Sequence, residues 1–198
     1  MGSDKALLPW EGRPLWERQV AVLTQAGASP VAVVRRTDQD ALSDLCWRDR
    51  RTGCGPLAGL ETILEHTLAF RYPIHRTEGL RSGTPPGVSC PLNAPPFNRV
   101  AVLAVDMPWV EAEWFQWLLS HSEPHQGAVA HHAEAFEPLA AIYPVNLLAE
   151  VTARLDRSEL ALQSLVRAAA DRGQIAVVPI PPERLLAVRS LNSRPPVN

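Results

Sequence analysis

Six apolar residues, three of them valine, run without a polar interruption from Val100 to Val105, and the next residue is Asp106. A run of that length with no alternation suits a strand apolar on both faces, which belongs in the buried middle of a parallel sheet. Pro108 follows two residues later and ends any ladder. In open α/β sheets ligands bind outside the carboxyl ends of the strands. Asp106 is therefore expected at a ligand crevice, where a carboxylate suits a hard cation such as Mg²⁺. The other reading of Asp106 is a cap for the helix that begins near Glu111.

The 198 residues fit one domain, and a chain of that length can bury about 70% of its surface. Lys and Arg number 19 against 21 Asp and Glu, a formal net charge of −2. No basic block points to nucleic acid or to a membrane surface. Cys46, Cys54 and Cys90 are odd in number and widely spaced, which suits a reducing cytoplasm rather than a disulfide framework or a zinc site. No apolar run approaches the roughly 20 residues of a membrane-spanning helix, and no signal peptide is visible.

Ala6–Trp10 reads as a short extended piece, with a turn at Glu11-Gly12-Arg13. Pro14 suits the first position of a helix whose apolar stripe is Leu15, Val22, Leu23 and Ala26, and Gly27 can end it. Val31–Val34 reads as a strand, and Asp38–Trp47 as a short helix. Gly53-Cys54-Gly55-Pro56 leads into a helix with Leu57, Leu60, Leu64 and Leu68 at helical spacing. A glycine-rich approach to a helix presents free N–H groups and a positive dipole end to an anion. From Arg71 to Arg99, six of 29 residues are proline and three are glycine, the mark of an inserted loop, mobile or packed over the surface. A helix is expected over Glu111–His121, with Trp114, Trp117 and Leu118 inward. Strands are expected at 127–131 and 138–143, joined by a polar turn. His131 and His132 lack a third ligand nearby and read as solvated. Helices at 145–155 and 158–170, the second capped by Ser158, a strand at 175–180 and a short extended end at 185–192 complete the chain. Strands alternating with helices predict a three-layer α/β/α, Rossmann-like fold with a mostly parallel sheet.

Four stretches in order, Met1–Leu8, Gly55-Pro56-Leu57-Ala58-Gly59, Leu103–Pro108 and Glu137–Tyr143, resemble the molybdenum cofactor guanylyltransferase family. The resemblance covers nearly the whole chain apart from the proline-rich insertion. It implies a nucleotide-diphosphosugar-transferase-like fold and a cytoplasmic, Mg²⁺-dependent enzyme. That enzyme would transfer GMP from GTP to molybdopterin-bound molybdenum and release pyrophosphate. By the same resemblance Lys5 lies on the nucleotide's phosphates, Asp106 on the bridging magnesium, and Asp49 and Gly55 on the nucleotide. An acid at Asp49 can accept hydrogen bonds from the guanine N1–H and 2-amino groups. Asn192 aligns with an asparagine on the molybdopterin side, within a motif eroded here to Ser190-Leu191-Asn192-Ser193-Arg194-Pro195. The implied partners are GTP, the molybdenum cofactor, and molybdoenzymes or other proteins of cofactor biosynthesis.

Two departures from the family pattern stand out. Val34-Arg35-Arg36 occupies the place of a guanine-contacting asparagine. That leaves open a cytidylyltransferase or a sugar-nucleotide-forming transferase of the same fold. The family's first strand and its Leu-Ala-Gly-Gly loop precede the point where this sequence begins. Either the start is assigned too late or the chain is a truncated, non-catalytic molybdopterin-binding homologue, and the intact downstream motifs favour the first.

Overall fold

The computed structural model describes residues 4–71, 98–133 and 135–191. In chain order the regular elements are β1 (Pro9–Trp10), β2 (Arg13–Pro14), α1 (Leu15–Gln25), β3 (Val33–Arg35), β4 (Cys46–Arg48), α2 (Pro56–Arg71), β5 (Arg99–Leu103), α3 (Ala112–Ser120), β6 (Gly127–His132), β7 (Ala135–Phe136), β8 (Ala140–Pro144), α4 (Leu148–Asp156), α5 (Leu162–Asp171) and β9 (Ile175–Pro179). Short 3₁₀ turns lie at Lys5–Leu7, Val145–Leu147 and Pro182–Arg184. The expected insertion at 71–99 falls almost wholly outside the described residues.

Two compact units divide the chain. One comprises residues 1–31, 101–144 and 161–198, the other residues 32–100 and 145–160.

The first unit opens with a hairpin in which Pro9 pairs with Pro14 and Trp10 with Arg13. Its two-residue turn puts Glu11 and Gly12 at φ 49° and 82°, the left-handed backbone that such turns demand. The main sheet runs in the order β5-β8-β6-β7, with β9 also paired to β6. Ala128, Ala130, Ala140, Ile142 and Val178 meet Val22 of α1 and Trp114, Phe115 and Leu118 of α3 in one buried cluster. Val129 alternates with Ala128 and Ala130 and is 1% exposed, so the opposite face of β6 is covered too. None of the buried residues of α5 (Leu162, Leu165, Val166, Ala169) joins the α1–α3 cluster, which puts α5 on that opposite face, against β9 and β7. Helices thus flank both faces, and the three-layer α/β class expected from the sequence is present.

The sheet is mixed rather than mostly parallel. β6 runs parallel to β9 and antiparallel to β7 and β8. The reason is local: β6, β7 and β8 follow one another through short turns, which can join only antiparallel strands. β5 is a second departure. Expected mid-sheet, it ends the strand order, with β8 as its neighbour among the described residues. Val100 is buried while Ala101, Val102 and Leu103 are half-buried. An unbroken apolar run reports what lies above and below a strand, not what lies beside it.

The second unit holds β3 and β4, paired in parallel with Val33 against Cys46 and Arg35 against Arg48, and α2 packed on α4. The short helix expected at 38–47 is absent. Residues 36–45 form an irregular crossover and 46–48 a strand. Asp and Ser side chains in 38–44 bond well to local backbone and so disfavour a helix interior. Ser158 is likewise not a helix cap: it sits at φ 59°, and α5 starts four residues later with Ala161 at its N-cap.

Candidate functional site

In the first unit Asp4 begins the site. Its carboxylate accepts from the Ala6 amide at 3.1 Å and caps the 3₁₀ turn that carries Lys5. The Lys5 ammonium donates to Asp106 Oδ2 at 3.2 Å, with side chains 39% and 19% exposed. Such a half-exposed ion pair is worth at most about 1 kcal/mol to the fold. Its interest lies in what it places together. Asp106 stands three residues beyond β5, as the strand-end reading expects. It does not cap α3, whose N-cap is Glu111.

The turn around Asp106 is held from two directions. The C-terminal segment contributes the Leu191 amide, which donates to the Asp106 carbonyl at 2.8 Å. It also contributes the Ser190 hydroxyl, 3.4 Å from Oδ2. From α1, Gln19, 5% exposed, donates its side-chain amide to the carbonyls of Ala104 and Met107, both at 3.0 Å. The sequence reading missed Gln19. The available signal was its position between Leu15 and Val22 on the apolar stripe, where a polar residue is out of place. Asn192 lies outside the described residues, although its neighbours Ser190 and Leu191 are the ones that touch Asp106.

The second unit holds Asp49 and Gly55. Both line a cleft of about 740 Å³, with Val34, Arg36, Asp38, Arg51 and Gly59 among the other walls. β3 and β4 deliver Arg36 and Asp49 from adjacent strand ends, and the Asp49 amide donates to the Arg35 carbonyl at 2.8 Å. Gly55, at φ 62°, turns the chain into α2, whose first residues also line the cleft. A helix start there directs free amides at whatever the cleft holds.

Asp49 Oδ1 is buried and has no hydrogen-bond partner. Burial pushes its carboxyl above the usual range, partly offset by the Arg36 guanidinium. Gly59 sits close against it: a Cβ there would lie 3.6 Å from Oδ1. Arg51 is held on the cleft wall by the buried Glu61 at 2.9 Å and by Asp156 at 2.7 Å.

Residues 1–173 match the family described as the MobA-like NTP transferase domain. The chain belongs to that family. It is 40% identical, over 97% of its length and 84% of the relative's, to a probable molybdenum cofactor guanylyltransferase of Opitutus terrae. A protein of the same description from Deinococcus radiodurans is 32% identical over 82% of this chain and 70% of that one. Among solved structures it is similar to the molybdopterin-guanine dinucleotide biosynthesis protein A of Archaeoglobus fulgidus. The TM-score is 0.63 at 18% identity, over 97% of this chain and 86% of that one. A nucleotidyl transferase from Methanothermobacter aligns with TM-score 0.57 at 15% identity, over 95% and 79% of the two chains. At these identities the likeness to solved structures concerns the fold.

No group of three or more His, Cys, Asp or Glu capable of holding a metal occurs among the described residues. His131, expected to be solvated, is half-buried and packs on Phe136, ring centroids 5.1 Å apart, while His132 is exposed. A lone carboxylate still fits Mg²⁺, which keeps several waters and is commonly held by one or two carboxylates together with substrate phosphates. Asp106 is such a carboxylate. Cys46 and Cys54 are free thiols. No helix among the described residues is long and apolar enough to cross a membrane.

Proposed function

We propose that this chain is a guanylyltransferase that moves GMP from GTP onto the phosphate of molybdenum-bearing molybdopterin and releases pyrophosphate. The Lys5–Asp106 pair carries the reading. It sets a cation beside a carboxylate at the carboxyl end of a sheet strand, where a triphosphate needs both positive charge and a metal ligand. The acceptor's phosphate oxygen attacks the α-phosphorus, the bond to the β-phosphate oxygen breaks, and pyrophosphate leaves with that electron pair. No protein nucleophile is required, so alignment and charge supply the catalysis. Lys5 exchanges its carboxylate partner for a phosphate oxygen and neutralises charge as the leaving group departs. Asp106 would hold the cation. Bound there, Mg²⁺ would supply further positive charge to the phosphate oxygens.

Asp49 supports guanine as the base. A buried carboxylate oxygen without a partner is costly unless a ligand donates to it, and guanine offers N1–H and a 2-amino group side by side. The missing asparagine leaves Arg36 on the cleft wall instead, so CTP is the control substrate.

The test is transfer of labelled GMP to molybdopterin by wild type and by Asp106→Ala. The variant should lose at least about 100-fold in kcat/KM, roughly 3 kcal/mol of transition-state stabilisation. Near-normal turnover by Asp106→Ala, or faster transfer from CTP than from GTP, would sink the reading.

A further inference from the structure

Gln19 is the most deeply buried polar side chain touching the Asp106 turn. It occupies a position on α1 where the periodicity asks for an apolar residue, and removing its amide from water is costly unless every bond is satisfied. Its bonds converge on one object. Nε2 lies 3.0 Å from the Ala104 carbonyl, 3.5 Å from that of Val105 and 3.0 Å from that of Met107. The remaining carbonyl of the turn, that of Asp106, takes the Leu191 amide. The carbonyls of Ala104, Asp106 and Met107 are therefore held, with that of Val105 at the limit of reach of Nε2.

The clamp is itself oriented. Arg18 Nη1 donates to Gln19 Oε1 at 3.2 Å and to the Val110 carbonyl at 3.0 Å, while Nη2 pairs with Glu111. An amide has two N–H donors and one carbonyl acceptor. With Oε1 fixed by a guanidinium, which can only donate, Nε2 is left facing the turn. Past Pro108, Trp109 packs edge-on against Trp10 at 5.2 Å, so the stretch leaving the turn is tied to the β1–β2 hairpin.

We propose that Gln19 is a positioning residue for Asp106. By clamping the carbonyls on both sides of it, the buried amide holds the Asp106 carboxylate in one orientation toward Lys5 and the nucleotide-bound cation. This rests on the reading of Asp106 as a cation ligand given above. A second residue that orients a ligating carboxylate commonly tunes affinity and turnover as strongly as a weak ligand does, and a displacement of the turn by 1 Å matters at a phosphoryl-transfer site. If Gln19 merely filled space, a methionine of similar volume would serve.

The experiment compares wild type, Gln19→Met and Asp106→Ala as full chains. It measures Mn²⁺ affinity by electron paramagnetic resonance with GTP saturating, GTP affinity in EDTA, and kcat and KM for transfer. Gln19→Met should weaken Mn²⁺ binding and lower kcat by about 10-fold or more each, while GTP affinity in EDTA stays within about threefold. A purely structural role would lower the melting temperature and leave the Mn²⁺ affinity of the folded protein unchanged. That outcome overturns the proposal. If Gln19→Met does not fold, Gln19→Asn carries the same comparison, because it keeps the amide but draws it back by one methylene. If Asp106→Ala also retains wild-type Mn²⁺ affinity, the cation-ligand reading fails as well. If it alone loses Mn²⁺ affinity, only the role of Gln19 falls.

Discussion

Asp49 combines two properties that pull against each other. Its Oδ1 is buried without a hydrogen bond, which disfavours the charged form, yet it lines the cleft that would take a guanine base. Asp49→Asn removes the buried charge at nearly constant volume, so the melting temperature should not fall. Nucleotide binding should respond oppositely. An amide replaces one acceptor with a donor, losing one of two guanine bonds and opposing the other, a cost of about 1–3 kcal/mol. GTP affinity should therefore drop roughly 5- to 150-fold, and CTP affinity much less, since cytosine has no matching pair of donors. Titration of both nucleotides into both proteins checks it, and equal losses would reassign Asp49 to a ribose contact. At this scale the sequence was informative about residues that are chemically unusual where they stand. An acid ending an apolar run marked Asp106, and family spacing marked Asp49. Ser190, quoted only as part of an eroded motif, gave no sign of its contact with Asp106, because a serine in a polar tail carries no such signal until the chain brings it 84 positions back.

Elements follow the same logic of spacing, and fail where spacing is short. α2 and α3 were legible because Leu57, Leu60 and Leu64 in one, and Trp114 and Leu118 in the other, repeat at helical intervals and are buried; Trp117, also expected inward, is only half-buried, and Phe115 takes its place in the core. The 38–47 stretch misled because Leu42, Leu45 and Cys46 mimic that interval over barely two turns. Cys46–Arg48 instead completes a parallel pair with β3, a partner that lies outside any local window. Strand packing also explains Gly127, which begins β6 opposite Ile175. A Cβ there would overlap the Ile142 carbonyl oxygen and lie 2.7 Å from Pro144 Cδ and 3.2 Å from Ile175 Cγ1. Backbone cannot retreat as a side-chain tip can. Gly127→Ala should cost about 2–3 kcal/mol and lower the melting temperature by roughly 5–10 °C for a chain of this size. Thermal unfolding decides it; a shift below about 2 °C would mean that β6 and β8 part without strain.

Across the whole molecule, pH should act on stability through groups of opposite sign. Burial raises the carboxyls of Asp49 and Glu137 from 3.8 and 4.5. Their contribution is present below those values and is lost as pH rises through the raised ones. His66, stacked on Trp47 with centroids 4.3 Å apart and planes within 6°, is pushed down from 6.5, chiefly by burial. Its contribution is complete above pH 6.5 and is lost as pH falls through the lowered value. Between about pH 7.5 and 5.5 the wild type should therefore lose melting temperature relative to His66→Phe, which keeps the stack but cannot titrate. Parallel curves for the two proteins would assign the drop to other groups.

Residue order alone specified the α/β alternation, a strand shortly before an acid, the glycine turn into α2 and the family to which these belong. Each is written in neighbours a few positions apart, where periodicity and backbone preference act. The place of β5 at the end of the described order and the convergence of Lys5, Gln19, Ser190 and Leu191 on Asp106 were not written there. Those depend on partners far outside any local window, whose burial becomes favourable only together. A buried amide such as Gln19 looks like an error in a helical stripe until folding sets the carbonyls of Ala104 and Met107 against it.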